Sequence, residues 1–390
     1  MPLHVQSPDG EETAGQRKDH FEAPVQLTRP VNLAMRNRVP RYLFRAFDES
    51  SGGGRELSVI NATEIIPRGY MNRRQVTGFY EKQEKELHAM VQAHFSADED
   101  VLTEFSSWAA SLHTVLCYAY TCSLSCREVH VAVIDRERLH GEVRIWWVPH
   151  LLDPGEYHGE HEYLAHGCIR GPGYTAVPFK NLMVGGLCPT VFPELTGWGK
   201  GRSPDFGDGL RDKMFGEELV GYYDYQTERI KQIGKLFGDL SSPVMLALLT
   251  LRPRYLAQAS VPVNDEAMAQ EDFVDWLIIA LDIQPLDFDP EEEDWCQRGV
   301  VYTREEGDWK AYPDVEQWIK LLRLIGERQS RQSAEEEKRS GIDGEEESDV
   351  HDGTMQDRLT ESDLQDLDEE DLDEEMLSDE ELDDESDVED

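Results

Sequence analysis

The chain has 390 residues and a formal charge of −42, a length that suits about two domains. Residues 341–390 hold 26 Asp and Glu against Arg358 alone, which leaves residues 1–340 at −17. That body is too acidic for a general nucleic-acid binder, and no apolar run approaches the roughly 18 residues of a membrane span.

Residues 1–28 are polar and read as a flexible N-terminus without the apolar core of a secretory signal. The six cysteines then read as reduced thiols. The expected location is intracellular, cytoplasmic or nuclear, with no membrane partner. From Arg29 to Arg45 come five arginines and no acid. Within this stretch Arg41-Tyr-Leu-Phe-Arg-Ala-Phe47 has the apolar density of a buried strand, stopped by Asp48 to Gly54. Phe79 to Phe95 predicts a helix, with Leu87, Met90, Val91 and His94 at spacings of three and four. Phe105-Ser-Ser-Trp108 predicts a short strand or turn, and Ala109 to Tyr120 a helix. Three strands are expected at Glu128–Ile134, Glu142–Val148 and Glu162–Ile169, the first rich in β-branched residues. Beyond about Asp208 the periodicity is helical, over Leu210–Leu240, Val244–Leu256, Glu266–Leu281 and Asp314–Arg331.

Three segments together carry chemistry. The Arg41–Phe47 strand supplies Arg45. Phe105-Ser106-Ser107-Trp108-Ala109 supplies a serine, with Ser106 the second choice of register. Gly159-Glu160-His161-Glu162-Tyr163-Leu164 supplies two carboxylates two residues apart, which a strand would point to one face. In this order they resemble the Arg–Ser–Glu class of ADP-ribosyltransferases, which includes the heat-labile enterotoxin A subunits. Arg41-Tyr-Leu-Phe-Arg45, Ser107-Trp108 ahead of a helix through Cys117-Tyr118-Ala119, and Glu162-Tyr-Leu-Ala-His-Gly167 also resemble an uncharacterised domain family abundant in filamentous fungi. The resemblance spans Pro40 to Leu195.

It implies an α+β fold, a split, mixed or antiparallel sheet with flanking helices at 29–204; the helical periodicity adds a helical extension at 205–335, and the composition a disordered acidic tail at 336–390. The resemblance also implies an NAD-dependent mono-ADP-ribosyltransferase acting on protein side chains, arginine among them, with NAD as substrate and no metal. Glu162 would oppose the oxocarbenium-like charge, Glu160 would polarise the acceptor, and Ser107 would orient Glu162. Arg45 would hold the diphosphate or the adjacent ribose, since guanidinium forks match phosphate oxygens. The family usually reads Ser-Thr-Ser at the second segment; here Ala109 replaces the third hydroxyl. The alternative is a non-catalytic interaction module of the same fold, whose acidic tail binds basic nuclear partners.

Plainer roles exist for each residue. Arg45 suits a buried ion pair, Ser107 a helix N-cap, and Glu160 and Glu162 a solvated strand edge. His158, His161 and His166 lie near those carboxylates but match no familiar zinc spacing. Cys117, Cys122 and Cys126 read as packing residues. Gly197 to Ser203 lacks the spacing of a phosphate loop. The tail contains no Phe, Trp or Tyr and cannot pack a core. Its Leu364, Leu367, Leu372, Met376, Leu377 and Leu382 are set among acids, a pattern that fits basic partner surfaces. Ser378 and Ser386 suit an acidophilic kinase.

Overall fold

The computed structural model describes residues 39–51, 58–71, 82–96, 101–125, 127–148, 162–197, 207–256, 258–290, 292–296 and 312–343. The expectations for residues 1–28, for His158, Glu160 and His161, for Cys126 and for the tail beyond 343 lie outside these. The chain divides into two units, Met1–Glu337 and Lys338–Asp390. Every described strand belongs to the first.

The centre of that unit is a six-stranded sheet. β1 (Tyr42–Phe47), β4 (Phe105–Ala109), β5 (His130–Asp135), β6 (Arg144–Trp147), β7 (Glu162–His166) and β9 (Tyr174–Pro178) lie in the order β6-β7-β4-β1-β5-β9. Each pairing is antiparallel, so the sheet is not mixed. A smaller sheet joins β2 (Val59–Ile60), β3 (Glu64–Ile66) and β8 (Ile169–Arg170). The strand expected over Glu162–Ile169 is therefore two: Gly167 turns with φ 122°, and β8 leaves for the second sheet. At the next turn only a glycine fits. A Cβ on Gly173 would lie 2.4 Å from the Asp135 carbonyl oxygen.

β1 is the strand on which the halves of the sheet meet. Along one side it pairs with β5 over all six residues, from Tyr42 opposite Asp135 to Phe47 opposite His130. On the other side it pairs with β4 only at Phe44 opposite Ala109. The Leu112–Ser123 helix packs on β1 and β5, and the Glu84–Ser96 helix covers Phe105, Trp146 and Leu164 with Leu87, Met90 and Val91.

The C-terminal part is mainly helical, with corrections. The run expected over Leu210–Leu240 is broken into Asp208–Phe215, Asp224–Gly234 and a 3-10 turn at Lys235–Leu240. Gly216 closes the first helix, and Val220 and Tyr222 bridge to Arg254 and Val263. The start of the helix expected at Glu266 is a hairpin, β10 (Ser260–Val263) against β11 (Glu266–Ala269). Asn264 and Asp265 make its two-residue turn at φ 49° and 67°, a conformation these two residue types tolerate. Helices at Ser241–Leu249, Gln270–Leu281 and Pro313–Asp343 complete the set. Among the described residues no helix is long and apolar enough to cross a membrane.

Sheet and helices share one core. Tyr42 and Phe44 of β1 meet the Trp318 ring at centroid distances of 6.2 and 5.7 Å, and Trp295 lies 6.0 Å from Trp318. Buried ions tie the same parts together. Arg41 donates to both Asp135 oxygens, at 2.8 and 2.7 Å, and to Asp287 at 2.7 Å. Arg211 donates to Asp314 at 3.0 Å, and Asp314 accepts from Ser111 at 2.6 Å. Breaking such buried pairs costs more than the pairs contribute against an apolar replacement, so they fix geometry above all. Because Trp318 fills the centre of this core, Trp318→Ala is expected to destabilise the body by about 3–5 kcal/mol. Sheet and helices should still unfold together, as one transition in urea followed by circular dichroism and tryptophan fluorescence.

Candidate functional site

β1, β4 and β7 are neighbours, and each is covered almost along its length. The residues not fully buried are Arg45 and Ala46 on β1, Ser107 on β4 and Glu162 on β7. Arg45 and Ala46, being consecutive, leave β1 on opposite sides; Arg45, whose guanidinium reaches the Ser107 carbonyl and feels the Glu162 charge, makes with Ser107 and Glu162 a partly open strip across three adjacent strands.

The strip opens where β1 and β4 part. Past the Phe44–Ala109 pair, the Arg45 guanidinium spans the gap and donates from Nη1 to the Ser107 carbonyl at 2.8 Å. Its Nε is buried without a hydrogen-bond partner among the described residues. Burial pulls the Arg45 pKa below the ordinary arginine value, against the opposing pull of Tyr174, Tyr118 and Glu162. Among the described residues the buried ion pair of this segment is that of Arg41, four residues before Arg45.

Ser107 is not the helix cap. It sits in mid-strand, opposite Leu164 of β7, and the cap of the Leu112–Ser123 helix is Ser111, whose hydroxyl accepts from the Thr114 N–H at 3.1 Å. The strand runs on through Ala109, so the helix begins later than its apolar periodicity suggests. Ser106 is buried, and its hydroxyl accepts from Trp108 Nε1 at 2.9 Å; Ser107 is the serine on the open strip.

The Ser107 hydroxyl is hydrogen-bonded to His94 Nε2 at 2.8 Å. His94 reaches the strip from the Glu84–Ser96 helix, and its Nδ1 is 3.3 Å from Thr103 Oγ1. Burial first and the Arg45 charge second hold His94 down to about 4, so it is neutral near pH 7. The helical pattern in sequence counted His94 with the apolar residues and missed this contact. The available signal was a polar residue on the packed face of an amphipathic helix.

Glu162 opens β7 opposite Ala109. The third position of the serine segment thus stands beside the candidate carboxylate, and it carries a methyl group where the resembled family carries a hydroxyl. Glu160 lies outside the described residues, so the glutamate pair has one visible member.

The other polar candidates are absorbed elsewhere. His166 ends β7 with Nε2 2.7 Å from Glu104, and Lys82 reaches the same carboxylate at 3.1 Å. Those two partners hold Glu104 below its ordinary value against the penalty of burial. Cys117 is buried beside His113, Sγ to Nδ1 3.8 Å, and Cys117, Cys122, Cys168, Cys188 and Cys296 are all free of disulfides. Among the described residues no group of three or more His, Cys, Asp or Glu is arranged to hold a metal.

Residues 38–172 match the model of a family described as a domain of unknown function, DUF7587. No curated protein and no solved structure matches the chain. The matched segment is less than half of the chain, and it contains β1, β4 and β7.

His94 and His113 give the fold a pH signature. Burial holds His113 down to about 3, with Asp314 opposing it. In the unfolded chain both rings take a proton near 6.5; in the fold neither does until about 4 and about 3. Between those values the unfolded state binds more protons, so stability falls as pH drops below about 6.5. Urea midpoints are expected to decline from pH 7 to pH 5, and His113→Asn should flatten that decline.

Proposed function

We propose that this chain is an NAD-dependent mono-ADP-ribosyltransferase acting on protein side chains, with arginine the foremost acceptor. What supports the reading is that Arg45, Ser107 and Glu162, far apart in sequence, stand on three neighbouring strands, with Arg45 donating to the Ser107 carbonyl. Cleavage of the nicotinamide–ribose bond builds positive charge on the ribose. In this reading Glu162, the first residue of the interior strand β7, opposes that charge, a task a fixed carboxylate does most strongly where bound substrate shuts out water. Arg45 supplies a guanidinium with no carboxylate pair among the described residues, suited to a diphosphate or the adjoining ribose. Ser107 lies between them and presents its hydroxyl to the sugar or to Glu162. Glu160, two residues before Glu162, would draw the proton or polarise the nitrogen of the acceptor.

One observation favours a second reading. Ala109 stands opposite Glu162, so the hydroxyl that could hold the carboxylate from that side is missing. On this reading the domain is a non-catalytic interaction module of the same descent. Its acidic tail, −25 over residues 341–390, would bind basic nuclear proteins.

Purified full-length protein separates the two. On the first reading it consumes NAD and releases nicotinamide, and Glu162→Gln lowers the rate about a hundredfold or more with unchanged thermal unfolding. Glu160→Gln should reduce transfer to an arginine acceptor more than hydrolysis to water. If the wild-type chain neither binds nor consumes NAD and instead binds polylysine in a salt-sensitive way, the second reading stands.

A further inference from the structure

We propose that Thr103, acting through His94, fixes Ser107 as a hydrogen-bond donor directed at the open strip. His94 lies between two hydroxyls, Thr103 Oγ1 at 3.3 Å from Nδ1 and Ser107 Oγ at 2.8 Å from Nε2. A neutral imidazole has one donor and one acceptor nitrogen, so the chain of three has two polarities. In one, Ser107 donates to Nε2 and Nδ1 donates to Thr103. In the other, Thr103 donates to Nδ1 and Nε2 donates to Ser107.

Burial decides between them. Thr103 is buried, and His94 is the hydrogen-bond partner of its hydroxyl. If Thr103 accepted, its own O–H would have no acceptor among the described residues, which inside a protein is costly. If it donates, that buried proton is used. The demand for an acceptor is then passed to Ser107, which is partly open. The tautomer of a histidine follows from the bond its other nitrogen makes, and here that bond is the one to Thr103.

The surroundings hold the relay still. The Thr103 carbonyl accepts from the Gly69 N–H at 2.9 Å, and a Cβ at Gly69 would lie 2.4 Å from Glu104 Cγ. Phe95 and Phe105 meet the His94 ring edge-on, with centroids at 5.7 and 6.3 Å. The groups that act on the ring are Arg45 from β1, Thr103 and Ser107 from the β4 segment, and the phenyl rings of Phe95 and Phe105. Burial first and the Arg45 charge second keep the ring uncharged, and an uncharged ring is what allows the relay to have a direction. A ligand in the strip therefore meets an O–H donor at Ser107 beside the Arg45 guanidinium. That pair suits an acceptor-rich sugar or phosphate oxygen, and this meaning for function rests on the transferase reading.

The test begins with the unliganded full-length chain, labelled with 15N-histidine and with the His94 signal assigned by its loss in His94→Gln. The expected spectrum has Nε2 protonated and Nδ1 as the acceptor; a protonated Nδ1 overturns the proposal. Thr103→Asp, whose carboxylate can only accept, should shift the tautomer toward Nδ1–H, and Thr103→Ser should keep Nε2–H. An unchanged tautomer in the aspartate variant removes Thr103 from the relay. ADP-ribose, titrated by calorimetry, then reads the consequence. Thr103→Asp should bind it several-fold more weakly, with Thr103→Ser close to wild type. Equal affinity in all three overturns the role of the relay in the strip. Failure of the wild type to bind ADP-ribose overturns the transferase reading, and the tautomer alone then decides the relay.

Discussion

The single pairing between β1 and β4 is the constraint from which the candidate site arises. Two central strands that met along their length would join their backbones in a continuous hydrogen-bond ladder, with no side chain between them. Here they touch at Phe44 and Ala109 and then part, and Arg45 spans the opening to reach the Ser107 carbonyl. A guanidinium thus stands where ladder hydrogen bonds would otherwise run. The full six-residue pairing of β1 with β5 lets the sheet tolerate the gap, because β1 is fixed from its other side.

The same strand has a second task. Its Tyr42 and Phe44 are held by Trp318 and Trp295, and Arg41 is held by Asp135 and Asp287. Arg45 is therefore placed by contacts with segments more than 200 residues away in sequence. Arg211 and Asp314 act similarly for the Leu112–Ser123 helix, since Asp314 accepts from its capping serine, Ser111. These buried ions carry no chemistry of their own. They determine where the strip lies relative to the helices behind it, and they separate the arginine used for structure, Arg41, from the arginine left open, Arg45.

Much of this was legible from local pattern. The β-branched run of β5, the aromatic run of β1 and the order arginine, serine, glutamate are properties of short stretches. What stayed hidden depends on partners far away. Ser107 looked like a cap because an apolar helical pattern comes after it, but the β4 ladder carries the strand two residues past it and hands the cap to Ser111. His94 looked like one more member of an apolar face, and only the packing of its helix against β4 reveals Thr103 and Ser107 on either side of it. The β10–β11 hairpin was missed because Glu266 to Leu281 reads as one periodic segment, although the Asn264-Asp265 turn lies just before it. The breaks in the run over Leu210–Leu240 come from bridges to Arg254 and Val263, which no local window contains.

The extent of the family match has a consequence for what folds in this chain. The matched segment, residues 38–172, ends just before β9, which begins at Tyr174. Without β9, the β5 strand becomes a bare sheet edge, and without Trp295 and Trp318 the aromatic side of β1 is uncovered. A bare edge beside an uncovered apolar face is a template for association. The matched segment is therefore smaller than the unit that can stand in water. In this chain the residues after 172 supply the neighbour of β5 and the aromatic cover of β1, and so complete the sheet and its core.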